Sequence, residues 1–397
     1  MSTFSIVITT TRPRLLSMAV HSALAQDYED FELVISDNSD EGCRGLVERF
    51  GDSRIKYVRP AEYMNVVSHW NFAFSYATGD WQTLLCDDHV FVPRLLSTLR
   101  RKIDNYPGVD TFFWKVSTFF DGEWHVEKER FRFLLPEFTG QTKVLDTKQV
   151  IEEAFASGTG LAGQVKAKVP LIPRAIYSRE IIEKIRGRFG GSLFEPICPM
   201  TSAALAALAL SPKTIQIDLP MNVQGTPNDS AAAHVADSST YIRMNQSSQF
   251  RHSPLKSMRV FPATAAETAL HVRELMPDRF GHLDLNWINF FAACWKAIDE
   301  LEELGADVTS ERILYEEALS GFPPVVKCQV EKFLACPAQP SMLSRGIGFA
   351  RNIAQRLLRV VWKGSEFSRA LDTRKYGLND ILDCATFLDR RIAPHAG

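Results

Sequence analysis

Trp81-Gln82-Thr83-Leu84-Leu85-Cys86-Asp87-Asp88-His89-Val90-Phe91-Val92-Pro93 is an apolar run that stops at two adjacent carboxylates and an imidazole. Its β-rich first half reads as a buried strand. Carboxylates at the end of such a strand are costly to bury unless they pair or bind a cation. The carboxyl end of a strand in an open α/β sheet is also where ligands bind. Two readings follow from Cys86-Asp87-Asp88-His89 itself: a metal or phosphate site, or a surface turn with two solvated aspartates.

The neighbouring sequence supplies the rest of the sheet. Phe4 to Thr11 is a strand broken by Arg12-Pro13, after which Leu15, Leu16, Ala19, Val20 and Ala23 recur at helical spacing. Phe31 to Ser36 is a second strand ending in Asp37-Asn38-Ser39-Asp40. Leu46, Val47 and Phe50 suggest a short helix, Ile55 to Val58 a third strand, Val66 to Ala77 a helix, and Trp81 to Cys86 the fourth strand after Gly79-Asp80. Alternation of this kind predicts an α/β fold with a doubly wound, mostly parallel sheet and right-handed crossovers.

Beyond residue 110 the pattern changes. Thr111 to Phe120 and Trp124 to Leu135 flank the turn signal Asp121-Gly122, which predicts a hairpin. Helices are expected at Ile176 to Ile185 and Ala203 to Leu210, with a strand at Thr214 to Ile217. Past residue 236 strand signals fade, and Ala263 to Leu275, Leu285 to Leu304, Ser310 to Leu319 and Val325 to Leu334 read as helices. The expected division is 1–110, 111–235 and a helical C-terminal region 236–397.

Composition narrows the class. The 397 residues, 45% hydrophobic and 23% charged, are ordinary for a soluble globular chain. A formal net charge of -2 argues against broad nucleic-acid binding. The opening residues lack the basic and apolar segments of a secretory signal, and no stretch approaches the ~18 consecutive apolar residues of a membrane span. Seven cysteines, at 43, 86, 198, 294, 328, 336 and 384, show no metal-ligand spacing. The expectation is a cytoplasmic protein with reduced thiols. Residues 344–364 carry five basic and no acidic residues among Ile347, Phe349, Ile353, Leu357, Leu358, Val361 and Trp362. Such a helix either packs on the protein by its apolar face or lies on an anionic membrane surface, which would put the chain at the inner face of the membrane.

In a doubly wound sheet the loops after successive strands converge on one crevice. Thr9, Thr10, Thr11 and Arg12 offer hydroxyls and a guanidinium suited to phosphate oxygens. Asp37 and Asn38 offer acceptors and donors for a nucleobase or ribose. Asp87, Asp88 and His89 can hold a divalent cation. No G-x-G-x-x-G or G-x-x-x-x-G-K-[ST] occurs, which counts against a dinucleotide dehydrogenase and a P-loop nucleotidase. These residues together suggest a metal-bridged nucleoside diphosphate held without a glycine cradle.

Ser5 to Pro13, Leu24-Ala25-Gln26-Asp27-Tyr28, Phe31 to Ser39, Asn71-Phe72-Ala73, Ala77 to Trp81, Asp87-Asp88-His89 and Pro93 resemble, in that order, the family 2 glycosyltransferases. The resemblance covers residues 4–100 well and 170–234 weakly. It implies a GT-A fold with a nucleotide-binding half (1–110) and an acceptor-binding half (111–235). The implied activity is inverting transfer of a sugar from a nucleotide-sugar, with UDP-sugars favoured, to a glycan or lipid-linked acceptor with Mn²⁺ or Mg²⁺, in polysaccharide assembly. It puts Thr9 to Arg12 and Asp37 around the base, Asp87 against the ribose and diphosphate, and Asp88 on the metal, with His89 where many relatives carry a third acid.

Similar enzymes place a catalytic Asp or Glu at the start of the acceptor-side helix. This chain has Pro199-Met200 there, so Glu195 is the nearest replacement as general base. Gln224 to His234 resembles the loop closing over the donor, with His234 a further candidate toward the metal. Two other classes stay open, a sugar nucleotidyltransferase and a catalytically silent nucleotide-binding relative.

Overall fold

The computed structural model describes residues 3–124, 126–159, 168–211, 213–227, 249–303, 305–335 and 367–396. Its chain divides into two compact units. The first comprises residues 1–148, 168–230 and 365–397, and the second 149–167 and 231–364. Residues 365–397, grouped by sequence with the helical region 236–397, thus belong to the sheet-bearing unit.

Among the described residues eleven strands form the sheet: β1 (Phe4–Thr10), β2 (Phe31–Asp37), β3 (Ile55–Val58), β4 (Trp81–Cys86), β5 (His89–Phe91), β6 (Thr111–Phe120), β7 (Arg132–Pro136), β8 (Thr142–Val144), β9 (Ala175–Ser178), β10 (Thr214–Gly225) and β11 (Phe367–Asp372). Their order is β11-β7-β6-β9-β4-β1-β2-β3, with β10 beside β6 and also pairing β5 and β8. The segment β3-β2-β1-β4 is entirely parallel, as the βα alternation requires. On the other side β9 runs antiparallel to β4 and β6, while β6 and β10 are parallel.

Parallel strands covered on both faces are continuous apolar runs, and β1 is buried at every residue. The helix Pro13–Leu24 begins with proline at its first position, where a missing N–H costs nothing, and buries Leu16, Ala19, Val20 and Ala23 on one stripe. Asn65 caps the helix Val66–Phe74 by accepting from the Ser68 amide at 2.9 Å. Gly79 then brings the chain so close to β1 that a Cβ there would lie 2.6 Å from the Ser5 amide nitrogen. Only glycine fits that approach.

Four expectations about the elements change. The 111–135 hairpin exists, but its second strand starts at Arg132, because Trp124 turns inward against Phe120 and Glu127–Glu129 forms a 3₁₀ turn. The helix predicted at Ile176 is preceded by β9, and starts at Arg179 with Ser178 as its cap, accepting from the Ile181 amide at 3.1 Å. The strand at Thr214 continues to Gly225, with register shifts either side of Pro220, whose missing N–H breaks the ladder. Beyond 236, β11 adds an antiparallel edge partner to β7.

The second unit is helical, with Phe261–Leu275, Pro277–Phe280, Trp287–Glu303, Thr309–Ser320 and Pro324–Ala335. Phe290, Phe291, Trp287, Tyr315 and Phe322 meet there edge to face. No helix of the described residues is long and apolar enough to cross a membrane. The basic segment 344–364 and His234 lie outside the described residues.

Candidate active site

Register puts the site together. Thr10 of β1 lies opposite Asp37 of β2, and Thr9 lies opposite Cys86 of β4. The carboxyl ends of three parallel strands are therefore level, and the residues that leave them meet at one edge.

At this edge the Thr10 Oγ1 donates to Asp87 Oδ2 at 2.8 Å. The Arg12 amide donates back to Thr10 Oγ1 at 3.0 Å, which folds the loop over the strand end. Arg12 sends Nη2 to Asp87 Oδ1 and, at 3.1 Å, to Asp88 Oδ2. One guanidinium thus serves two carboxylates, and the group carries a net negative charge. Asp87 is only 4% exposed, and burial raises its carboxyl to about 6 despite the pull of Arg12. Asp88 also faces His89, whose Nε2 is 3.6 Å from Oδ1. Burial lowers the His89 pKa, so the ring is neutral near pH 7, and its Nδ1 is buried with no partner among the described residues.

The second loop is built differently. Asp37 is fully buried. Its Oδ1 accepts from the Ser39 amide at 2.9 Å and the Ser39 hydroxyl at 2.6 Å. Its Oδ2 accepts from the Cys43 amide at 2.7 Å, Tyr57 Oη at 2.5 Å and Arg59 Nη1 at 2.9 Å. Burial raises its pKa, but the donors outweigh burial and hold the carboxyl well below its ordinary range. Asn38 pairs through its amide with both backbone groups of Met64, at 2.8 and 3.0 Å, and its own N–H reaches the Thr10 carbonyl.

β10 closes the third side. Gln224 pairs with His89, and the Gly225 amide donates to the Asp88 carbonyl at 2.8 Å. A Cβ on Gly225 would sit 2.6 Å from that oxygen, so a side chain is excluded there.

Thr10, Arg12, Asp87, Asp88 and His89 are thus in one cluster, with Asp37 and Asn38 shaping the adjoining loop. Thr9 is buried at the end of β1, and Thr11 is exposed. Glu195 stands half-buried before the helix Pro199–Leu210, its amide bonded to Ser202 Oγ at 2.9 Å. Asn71 holds the residues before it, accepting from the Leu193 and Phe194 amides and donating to the Phe194 carbonyl. Met200 occupies the first turn of that helix, which holds no acidic residue.

Side chains that sequence reading gave no role are Cys86, Tyr57 and Arg59. Cys86, Asp88 and His89 offer ligand atoms within 4.8 Å of one another. The Asp88 carboxylate and the neutral His89 imidazole offer one oxygen and one nitrogen donor to a divalent cation. The Cys86 thiol is pushed well up by burial and by Asp88 and Asp87, which favours its protonated form.

A level row of strand ends bearing hydroxyls, a shared guanidinium and paired carboxylates marks a candidate polar site at the carboxyl edge of the parallel sheet of this α/β chain. Residues 5–163 match the family model for glycosyl transferase family 2. Thr10, Arg12, Asp37, Asp87, Asp88 and His89 all lie within the residues that are similar to this family. A curated relative from Campylobacter jejuni, GalNAc(5)-diNAcBac-PP-undecaprenol beta-1,3-glucosyltransferase, is 35% identical over 101 residues, 24% of this chain. That match spans 33% of the relative's length. Among solved structures, S. aureus TarS 1–349 in complex with UDP-GlcNAc aligns at 14% identity and a TM-score of 0.47, covering 82% of this chain and 83% of that one. A mannosyltransferase from Pyrobaculum calidifontis in complex with GDP-Man and Mn2+ aligns at 14% identity and a TM-score of 0.39, covering 91% and 87%.

Proposed function

We propose that the protein transfers a sugar, with inversion, from a nucleoside-diphosphate sugar to a hydroxyl of a glycan or lipid-linked acceptor in polysaccharide assembly. The observation that carries this reading is the single cluster of Thr10, Arg12, Asp87, Asp88 and His89 at the level ends of β1 and β4. Its family match supports the reaction class, and the name of the C. jejuni relative supports a diphosphate-lipid-linked acceptor. UDP-sugars are the first donors to test.

In this reading Asp88 and His89 hold Mn²⁺ or Mg²⁺, which when bound supplies the positive charge that a departing diphosphate requires. The remaining chemistry belongs to the chain. Arg12 moves from Asp87 and Asp88 to the diphosphate oxygens, where its fork gives bidentate bonds. Asp87, released from Arg12, accepts from the ribose hydroxyls. The loop at Asp37 and Asn38 forms the wall for the base, its shape fixed by the five donors on Asp37. Glu195 takes the acceptor's hydroxyl proton as general base, held on a loop that Asn71 and Ser202 anchor.

A panel of UDP-, GDP- and dTDP-sugars, assayed with Mn²⁺, with Mg²⁺ and with chelator, tests this directly. Metal-dependent turnover of one donor, lost in Asp88→Ala with an unaltered melting temperature, is the expected result. Turnover indifferent to both chelator and Asp88→Ala would remove the site assignment. Met200 favours a second reading, a catalytically silent nucleotide-binding protein, and nucleotide binding without turnover of any donor is its signature. Glu195→Gln should lower kcat by about 100-fold or more with little change in donor affinity, as loss of a general base does.

A further inference from the structure

The helical unit contains a second cluster with metal-ligand chemistry, which the transfer reaction does not use. On the helix Phe261–Leu275, Glu267, His271 and Glu274 follow at spacings of four and three, so they share one face. His252, from the segment before that helix, lies against this face. Its Nδ1 is 2.8 Å from Glu267 Oε1 and its Nε2 is 2.6 Å from Glu274 Oε2. The His271 Nδ1 is 4.0 Å from the same Glu274 oxygen, and the two imidazoles stand 5.6 Å apart by ring centre.

Glu267 distinguishes this arrangement from a surface ion pair. It is 3% exposed and fully engaged: the amides of Arg251, His252 and Ser253 donate to it at 2.9, 2.8 and 2.6 Å. That carboxylate therefore cannot follow a mobile partner; it fixes His252 with Nδ1–H donating inward and Nε2 directed at Glu274. A buried carboxylate that orients a histidine through one ring nitrogen, leaving the other for a cation, is the usual second layer of a metal centre.

We propose that His252 Nε2, His271 and Glu274 form a zinc-binding site, oriented by Glu267. Two imidazole nitrogens and one carboxylate oxygen match the donor preference of Zn²⁺ over Mg²⁺ or Ca²⁺. The ligand atoms already lie within 4.8 Å of one another. Bonds of about 2.0–2.2 Å in a tetrahedron separate ligand atoms by roughly 3.4 Å, so each pair shifts by about an ångström. Glu274 is 64% exposed, which gives the ion a path in and leaves room for a water as fourth ligand. On binding, the proton between His252 and Glu274 is released to solvent and the metal takes its place. The bound ion would fasten the segment around Arg251–Ser253 to the helix through His252, adding to the stability of the helical unit.

The test uses the full, untagged chain carrying Asp88→Ala, which removes a carboxylate ligand from the cluster at the sheet edge. Dialysis against Zn²⁺ should leave one equivalent bound, with X-ray absorption showing two imidazole ligands, and the melting temperature should rise with Zn²⁺ and fall back with chelator. Adding His271→Ala or Glu274→Gln should lower Zn²⁺ affinity at least 100-fold while the apo melting temperature stays close to that of the parent. Glu267→Gln should weaken binding about 10- to 100-fold through misorientation of His252. No retained zinc in the Asp88→Ala chain, or equal zinc affinity in the His271→Ala and parent chains, overturns the proposal and leaves His252 as an ion-paired histidine only.

Discussion

Asp37 and Asp87 make an instructive pair. Both are buried acids at the carboxyl end of a parallel strand, and the register of β1 with its two neighbours brings them to the same sheet edge. Asp37 receives five donors from the protein, and its carboxyl is held far down. Asp87 has Thr10 and a shared Arg12, and burial wins, raising it to about 6. Burial alone therefore does not decide the state of a strand-end carboxylate; the number of fixed donors does. The first aspartate is committed to holding a loop, whereas the second is held by Thr10 and by an Arg12 that it shares with Asp88.

Substitutions can break this contrast in order of effect. Asp88→Ala is expected to cost the most, about 100-fold or more in turnover, because it removes the carboxylate that Arg12 and His89 both face; steady-state kinetics against Mn²⁺ concentration checks it. Asp37→Ala should instead act on the fold. Leaving Arg59, Tyr57 and two amides without their acceptor costs roughly 3–5 kcal/mol, read by urea denaturation. If Asp37→Ala proves as stable as the parent while losing donor affinity, the contrast collapses and Asp37 is a ligand residue.

Gly225→Ala comes next. The Cβ meets the Asp88 carbonyl, so the turn must shift, at about 1–3 kcal/mol of overpacking and with weaker metal dependence of activity. The smallest effect is a pH signature. The folded-state pKa of Asp87 is raised from 3.8 to about 6, so its ionisation penalises the fold as pH rises through that interval and fully above it. Asp87→Asn should accordingly raise the melting temperature at pH 7.5 by a few degrees and have little effect near pH 4. The Asp37 carboxyl works in the opposite sense: its contribution is present above the unfolded value near 4 and is lost as pH falls toward its depressed folded value.

The parallel half of the sheet was legible because its signals are local. Continuous apolar runs, Pro13 after β1 and Gly79 before β4 each specify their element from neighbouring residues alone. The Asp87-Asp88-His89 stretch was legible as the end of a strand, with a cation site and a solvated turn both open; its burial against Arg12 depends on the distant β1 loop. What escaped depends on distant partners. β5 and β11 are short strands whose identity comes from pairing with β10 and β7. Tyr57 and Arg59 look like ordinary surface residues until β3 sets them beside Asp37. Likewise the face shared by Glu267, His271 and Glu274 carries no sign of His252, which joins it from outside the helix. A search for acids and histidines at spacings of three and four along helices would have flagged the helical half of that cluster.

The C-terminal residues tie into the first unit. β11 extends the sheet beside β7, and the helix Ile381–Ile392 buries Ile381, Cys384, Leu388 and Ile392 in the core that includes β10. Arg94 grips Asp389 at 2.7 and 2.8 Å, and Arg101 reaches the Ala396 carbonyl at 2.7 Å. During synthesis the sheet is therefore left with an unpaired edge and an uncovered apolar face while the whole helical unit is being made. Ribosome-bound chains ending before residue 367 would expose that face to chaperones, and emergence of residues 367–396 would be the event that seals it.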